Sequence, residues 1–429
     1  MIMSNKKGLF ALSPLIVFIS LYLVTSIIAG DFYKVPISVA FMLSSIYAVA
    51  ACTGVTLKER IDTFSKGAGT KGIMLMIWVF ILAGAFAASA KTIGSIDATV
   101  NMMLSILPEN MILPGIFLAT CFVSMSIGTS VGCIVALVPI AAGLATTTGS
   151  NIPMFVAVVV GGAFFGDNLS FISDTTIVAT STQGCKMSDK FKTNSFIAFP
   201  AAAISFVLYA IIGSDISAPQ QIPATDYIKI LPYIIVIIIA VCGMNVLVVM
   251  TIGIVITGII GMTEGIFDIY GWFGTMGDGI LGMSELIIIT MLAGGLFEIV
   301  KRNGGIEYII SKTTARINGK RGAEAIIAML VSFVDICTAN NTVAIITVGG
   351  IARQISGKYG IDNRRAACLL DTFSCMMQGI IPYGAQMLMA AGLSHLVPTR
   401  IMMYSFYPVI LGFVAALAIL FRFPKTYTK

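Results

Sequence analysis

The stretch Gly166-Asp-Asn-Leu-Ser-Phe-Ile-Ser-Asp-Thr-Thr sets Asp167, Asn168, Ser170, Ser173, Asp174, Thr175 and Thr176 inside an apolar run from Phe155 to Ala179. A carboxylate near mid-membrane costs ~2.5 to 3.5 kcal/mol on insertion scales, so such side chains mark an ion or substrate pathway. Hard cations such as sodium take oxygen ligands, which Asp, Asn, Ser and Thr supply, and a helix interrupted there adds free backbone carbonyls. Asp167 and Asp174 are seven residues apart, about two turns, so even an unbroken helix shows both on one face. An interfacial loop with an Asp cap is the plain alternative. Against it, Asp371-Thr372-Phe373-Ser374 repeats Asp167-Asn168-Leu169-Ser170 in an equally apolar setting.

Two further groups sit where the chain must turn at membrane depth, Gly128-Thr129-Ser130 and Asn340-Asn341-Thr342. Small polar tips of this kind offer hydroxyls and carbonyls to a cation, although Gly, Asn and Thr also suit an ordinary turn. Asp335 precedes the second tip and has no acidic counterpart in the first half, as expected of a coupling or proton-carrying group. Pro382-Tyr383-Gly384-Ala385-Gln386 combines a helix kink with an amide that could orient an organic substrate. Glu298 reads as a pathway acid or a solvated one, and His395, the one histidine, reads as incidental. The eight cysteines are scattered, without CxxC pairs, and read as packing residues rather than zinc ligands.

The elements that must hold these groups are transmembrane helices. Of 429 residues, 57% are hydrophobic and only 11% charged, so most of the surface meets lipid. Crossing ~30 Å of hydrocarbon takes ~20 helical residues. Apolar runs of that kind predict spans near 11 to 30, 35 to 55, 72 to 90, 153 to 182 and 193 to 213, then 230 to 244, 246 to 262, 284 to 300, 366 to 385 and 401 to 421. The first is a span rather than a signal peptide, because no cleavage site leads into a polar domain. Segments 110 to 149 and 323 to 354 are apolar but broken centrally, as in re-entrant helical hairpins. Strand alternation is missing, which excludes a transmembrane barrel.

A cytoplasmic amino terminus puts Lys6, Lys7, Lys58, Arg60, Lys66, Lys71, Lys186, Lys190 and Lys192 on one side. In the second half Lys301, Arg302, Lys312, Arg316, Lys320, Arg321, Arg353, Lys358, Arg364, Arg365, Arg422, Lys425 and Lys429 join them. Only Lys34, Lys91, Lys229 and Arg400 fall outside, with an outward loop carrying Glu264, Asp268 and Asp278. Both termini are then cytoplasmic, in a multi-pass protein of the cell inner membrane. The net charge of +6 lies at helix ends rather than in a basic stripe, so nucleic acid is not an expected partner.

Residues 81–100, ILAGAFAASAKTIGSIDATV, match residues 291–310, MLAGGLFEIVKRNGGIEYII, without gaps, with LAG, Lys and Gly-x-Ile-acid at equal spacing. The expected fold is therefore an all-α polytopic membrane protein of two repeats, residues 1–220 and 221–429, each of five spans plus one re-entrant hairpin. An odd number of crossings inverts the second copy, as in many secondary transporters, and places broken helices at mid-membrane. No P-loop is present to drive transport with ATP, and no HExxH or GxSxG motif suggests an enzyme.

GDNLSFISDTT, preceded by GTS in a hairpin-like segment, resembles the signature of the NhaC-type sodium/proton antiporter family, and the likeness extends over most of the chain. It is specific at Asp167, Asn168, Ser170, Asp174 and Thr175. In the second half an acidic family motif is replaced by DTFSCMMQGIIPYGAQ. The resemblance implies an elevator-like scaffold, often a homodimer, embedded in lipid, with Na+ as transported or coupling ion and no cofactor. The leading expectation is Na+/H+ antiport. In it Asp167, Asn168 and Asp371 hold sodium, Thr129, Ser130, Ser170, Thr175, Asn340, Asn341, Thr342, Thr372 and Ser374 complete the ion- or substrate-binding site, and Asp174 or Asp335 exchanges protons. The competing expectation is sodium-coupled carriage of an amino acid or small organic acid, favoured by the amide-rich Asn340-Asn341-Thr342 tip.

Overall fold

The computed structural model describes residues 5–29, 36–106, 108–127, 129–170, 173–216, 223–242, 244–314 and 319–424. Lys34, Gly128, Arg316, Lys425 and Lys429, used above, lie outside the described residues. Among the described residues the chain is helical, without strands. The first half forms α1 (Asn5–Ala29), α2 (Ile37–Ala51), α3 (Leu57–Ala68), α4 (Lys71–Thr92) and α5 (Ser95–Ile106). It continues through α6 (Ile112–Ile127), α7 (Ser130–Thr147), α8 (Ile152–Leu169), α9 (Asp174–Gln183) and α10 (Met187–Ile212). The second half forms α11 (Tyr227–Val241), α12 (Val246–Thr263), α13 (Ile269–Gly282), α14 (Ser284–Arg302) and α15 (Gly305–Thr314). Then come α16 (Gly319–Thr338), α17 (Asn341–Tyr359), α18 (Asn363–Gln378), α19 (Ala385–Ser394), α20 (Pro398–Met402) and α21 (Phe406–Leu420).

By length and apolarity five helical segments among the described residues can cross a membrane, or six if the α13–α14 pair, bent by 40°, counts as one span. Several other expected spans form apolar helices of 10–17 residues. The chain is thus an integral membrane protein. α8 is its central rod: every residue from Met154 to Leu169 is buried, as an all-round apolar helix requires. By contrast α10 leaves Phe196, Phe199, Ile204, Val207 and Ile211 exposed, a face suited to lipid.

Three expectations change, and one helix is added to the expected spans. The stretch from Lys58 to Lys66 is the helix α3, opened by a capping box in which Thr56 Oγ1 accepts from the Glu59 amide (3.3 Å) and Glu59 accepts from the Thr56 amide (2.9 Å). The acidic outward loop contains α13, capped by Asp268, which accepts from the Gly271 amide at 2.7 Å. The span expected from 193 starts six residues earlier, at Met187, which draws Lys190 and Lys192 into α10. The span 366 to 385 stops at Gln378, breaks over 379–384 around Pro382, and resumes as α19.

The halves interlock in matched pairs. α2 packs on α14 and α12 on α4; α3 packs on α14 and α13 on α4; α9 packs on α17 and α19 on α7. The ungapped sequence match falls on equivalent corners, where Gly94 (φ +78°) separates α4 from α5 and Gly304 (φ +81°) separates α14 from α15. Positive φ strains any residue with a Cβ, which explains glycine at both corners. α4 and α13 approach so closely that a Cβ on Gly84 would run into the carbonyl oxygen of Gly279, and the reverse. Gly84→Val therefore pushes the two helices apart and costs about 1–3 kcal/mol. Thermal unfolding of the purified protein in detergent checks this, with Gly72→Val, where a Cβ meets nothing within 4 Å, as the unaffected control.

Candidate cation-binding site

Asp167 stands in the last turn of α8, three residues before the cap Ser170, and its carboxylate is buried. Ser173 donates to its Oδ1 (2.5 Å) and Ser130, the first residue of α7, donates to its Oδ2 (2.9 Å). Ser173 shares a further hydrogen bond with Thr175 (2.8 Å). From Ser130 a chain of amides reaches the second broken span: Gln386 donates to Ser130 (3.0 Å), and Gln378 donates to Gln386 Oε1 and to the Ala339 carbonyl (both 2.9 Å). One network thus joins the tip after α6, both breaks and the tip after α16. No cationic side chain pairs with Asp167 among the described residues.

Asp371 is equally buried but differently supplied. Lys190 of α10 pairs with its Oδ2 at 2.5 Å and also donates to the Asn168 carbonyl (2.5 Å) and Thr176 Oγ1 (2.6 Å). Asn168 Nδ2 donates to Asp371 Oδ2 (3.0 Å), as does Asn194 Nδ2 (3.0 Å), which also reaches the backbone and side-chain oxygens of Asn168 (both 3.1 Å). The Asn168 carbonyl lies in the last turn of α8, where the helix provides no partner, so lysine and asparagine satisfy a group the break sets free. Thr372 Oγ1 lies 3.4 Å from Asn168 Nδ2.

The family model of Na+/H+ antiporters matches the chain twice, over residues 7–214 and 216–423. The chain belongs to the Na+/H+ antiporter family. The NhaC-type resemblance of GDNLSFISDTT is thereby borne out, and the family is one of transporters. Relatives include the Na+/H+ antiporter NhaC of Alkalihalophilus pseudofirmus, 22% identical over 382 residues and 82% of either chain. The malate-2H+/Na+-lactate antiporter of Bacillus subtilis is 20% identical over 466 residues, covering 97% of this chain and 96% of its own. Among solved structures the chain is similar to the YdaH transporter of Alcanivorax borkumensis, with 12% identity, a TM-score of 0.42, and 85% and 88% of the two chains covered.

Within this antiporter-family chain the structure gathers Asp167, Asn168, Ser130, Thr175, Asp371 and Thr372. Other expected residues stand apart. Asp174 is exposed in the first turn of α9 and makes no side-chain hydrogen bond among the described residues. Asn340 caps α17 by accepting from the Val343 amide (3.0 Å), Asn341 accepts from Thr342 (3.0 Å), and Ser374 donates to the Asp371 backbone (3.0 Å). Thr129 and Thr342 are half-buried at the tips, and Ser170 is the buried cap of α8. Asp371 was expected to answer Asp167 across the repeat, yet it lies eight residues before its cap Gly379, against three for Asp167 before Ser170. A four-residue motif aligned with gaps does not fix register along a helix.

Asp335 in α16 is fully buried with both carboxylate oxygens unpartnered among the described residues; the Gln378 backbone approaches it without hydrogen-bond geometry. Lys190, Asn194 and Gln378 escaped the sequence reading. The charge pattern alone places Lys190 with the cytoplasmic basic residues at helix ends. The available signal was Lys190 and Asn194 spaced four apart, one face of a helix that runs without interruption into an apolar span. Glu298, one-third exposed, sits 3.9 Å from Lys301 and belongs to the surface.

Proposed function

We propose that this chain exchanges Na+ for H+ across the cell inner membrane, with Asp167 as the shared ion site. The observation that carries this reading is the contrast between the buried carboxylates: Asp371 has Lys190 as its countercharge, whereas Asp167 has none among the described residues. An ionised carboxylate in such an interior costs several kcal/mol unless a cation answers it, so Asp167 is stable only with a proton or with a bound ion. The two compete for one place. A carrier that turns over only when that place is filled must then exchange one for the other. Ser130, Ser173 and Thr175 supply hydroxyl oxygens, which rotate to present lone pairs to sodium, and the end of α8 supplies carbonyls. Asp335, buried without a hydrogen-bond partner among the described residues, is the second proton-carrying group.

Around this site we place two inverted repeats, residues 1–220 and 221–429. Support comes from the equivalent glycine corners, the matched helix pairs and the two successive matches of one family model. The tips after α6 and α16 then belong to re-entrant hairpins. Cytoplasmic termini agree with two contacts: Lys229 pairs with Glu264 at 3.3 Å, both expected outside, and Arg302 donates to Thr63 at 2.8 Å, beside basic residues expected inside.

Reconstitution into liposomes holding a pH-sensitive dye tests the assignment. Sodium addition without any organic solute is expected to move protons. Sodium-dependent uptake of a labelled amino or organic acid without proton movement would instead assign the chain to solute carriage, closer to the lactate-malate exchanger it resembles.

A further inference from the structure

We infer that Lys190 is a built-in cation that permanently fills a second sodium-type site, so that the chain binds a single sodium ion. This rests on the reading of Asp167 above. The three oxygens around the Lys190 ammonium are a carboxylate (Asp371 Oδ2, 2.5 Å), a backbone carbonyl at the end of a broken helix (Asn168, 2.5 Å) and a hydroxyl at the start of the next (Thr176, 2.6 Å). That is the donor set a hard monovalent cation takes at a helix break in a membrane. An ammonium has three N–H donors, and here all three are used. Lys190 is 1% exposed and Asp371 is buried completely, so the position is closed as well as filled.

Among the described residues Asp167 has no such cation, and its oxygens receive the hydroxyls of Ser130 and Ser173. The two broken spans therefore meet at two carboxylates of which one is served by a tethered charge and one is left for a mobile ion. Asn168 sits between them, with its side chain on Asp371 and its backbone one peptide from Asp167. Lys190 acts as a positioning residue: it sets how many mobile cations the constellation accepts and holds the end of α8 in place.

Equilibrium binding of radioactive sodium to the purified full chain tests this. The natural protein is expected to bind about one ion per chain, Lys190→Ala about two, and Lys190→Ala with Asp371→Asn about one again, because removing the tether frees an oxygen site that needs the Asp371 charge. Lys190→Ser, too short to reach the three oxygens, serves if the alanine variant does not fold, with the same expected doubling. One ion bound in the natural protein and still one in a folded Lys190 variant overturns the inference and leaves the Asp167 reading standing. Loss of the single ion in a folded variant also overturns it, by making Lys190 part of the Asp167 site. No sodium bound to the natural protein removes both.

Discussion

Asp167→Asn is expected to abolish sodium-driven proton movement while leaving a folded protein. Asparagine has the same shape and its carbonyl oxygen still accepts from one of Ser130 and Ser173, so packing in the α8–α9 break survives. What disappears is the charge. A neutral amide neither takes up a proton nor offers sodium its countercharge, and removing an uncompensated buried carboxylate relieves a desolvation cost rather than adding one. The loss of transport is expected to exceed roughly 100-fold, the equivalent of about 2.7 kcal/mol of ion stabilisation. The dye assay in liposomes reads the transport, and thermal unfolding in detergent reads the fold. Exchange above a tenth of the natural rate, in a variant that unfolds no earlier than the natural protein, would locate the ion site elsewhere. Melting far below the natural protein would mean that Asp167 carries structural load.

Asp335→Leu is expected to do two opposite things. Leucine keeps the same forked outline with bulkier ends, and the two carboxylate oxygens have no hydrogen-bond partner among the described residues, so the substitution removes buried polar atoms without leaving orphans. A gain of about 1–3 kcal/mol in stability follows, the usual cost of an unsatisfied buried polar group. Proton exchange is nevertheless expected to fall at least about tenfold, because a costly group persists in an interior where it serves a function. Thermal unfolding and the dye assay again separate the two effects. A destabilised Asp335→Leu would mean that a partner holds this carboxylate in the resting protein. A stabilised variant with undiminished exchange would remove Asp335 from the proton path.

The features legible along the chain were those that depend on neighbours in sequence. A run of apolar residues makes a buried or lipid-facing helix wherever it lies, and polar oxygens inside it announce a break, so α8, its interruption and Asp167 were all anticipated. The LAG, lysine and Gly-x-Ile-acid match falls on two corners, each turned at a glycine, because positive φ is a local demand that glycine meets at either place. Local chemistry also limited the reading. The short acidic stretch around Asp268 looked like a loop, yet it caps α13, because an Asp at a helix start serves equally well in either role.

Partnership was a different matter. Whether a buried charge is free or answered depends on segments that meet only in space: Lys190 and Asp371 are far apart in the chain, as are Ser130 and Gln386. A lysine at the start of a helix has the same local sequence whether it reaches water or folds inward onto a carboxylate, and its long stem allows both. Register along α18 was hidden for a related reason, since an apolar helix tolerates sliding a motif by one or two turns until packing against α8 and α10 fixes which side chains meet. From the residues alone came the membrane, the breaks and the family to which this chain belongs. The packing of the two halves determined which carboxylate Lys190 answers, because neutralising a buried ion takes a partner within a few ångströms and chain order does not say which groups arrive there.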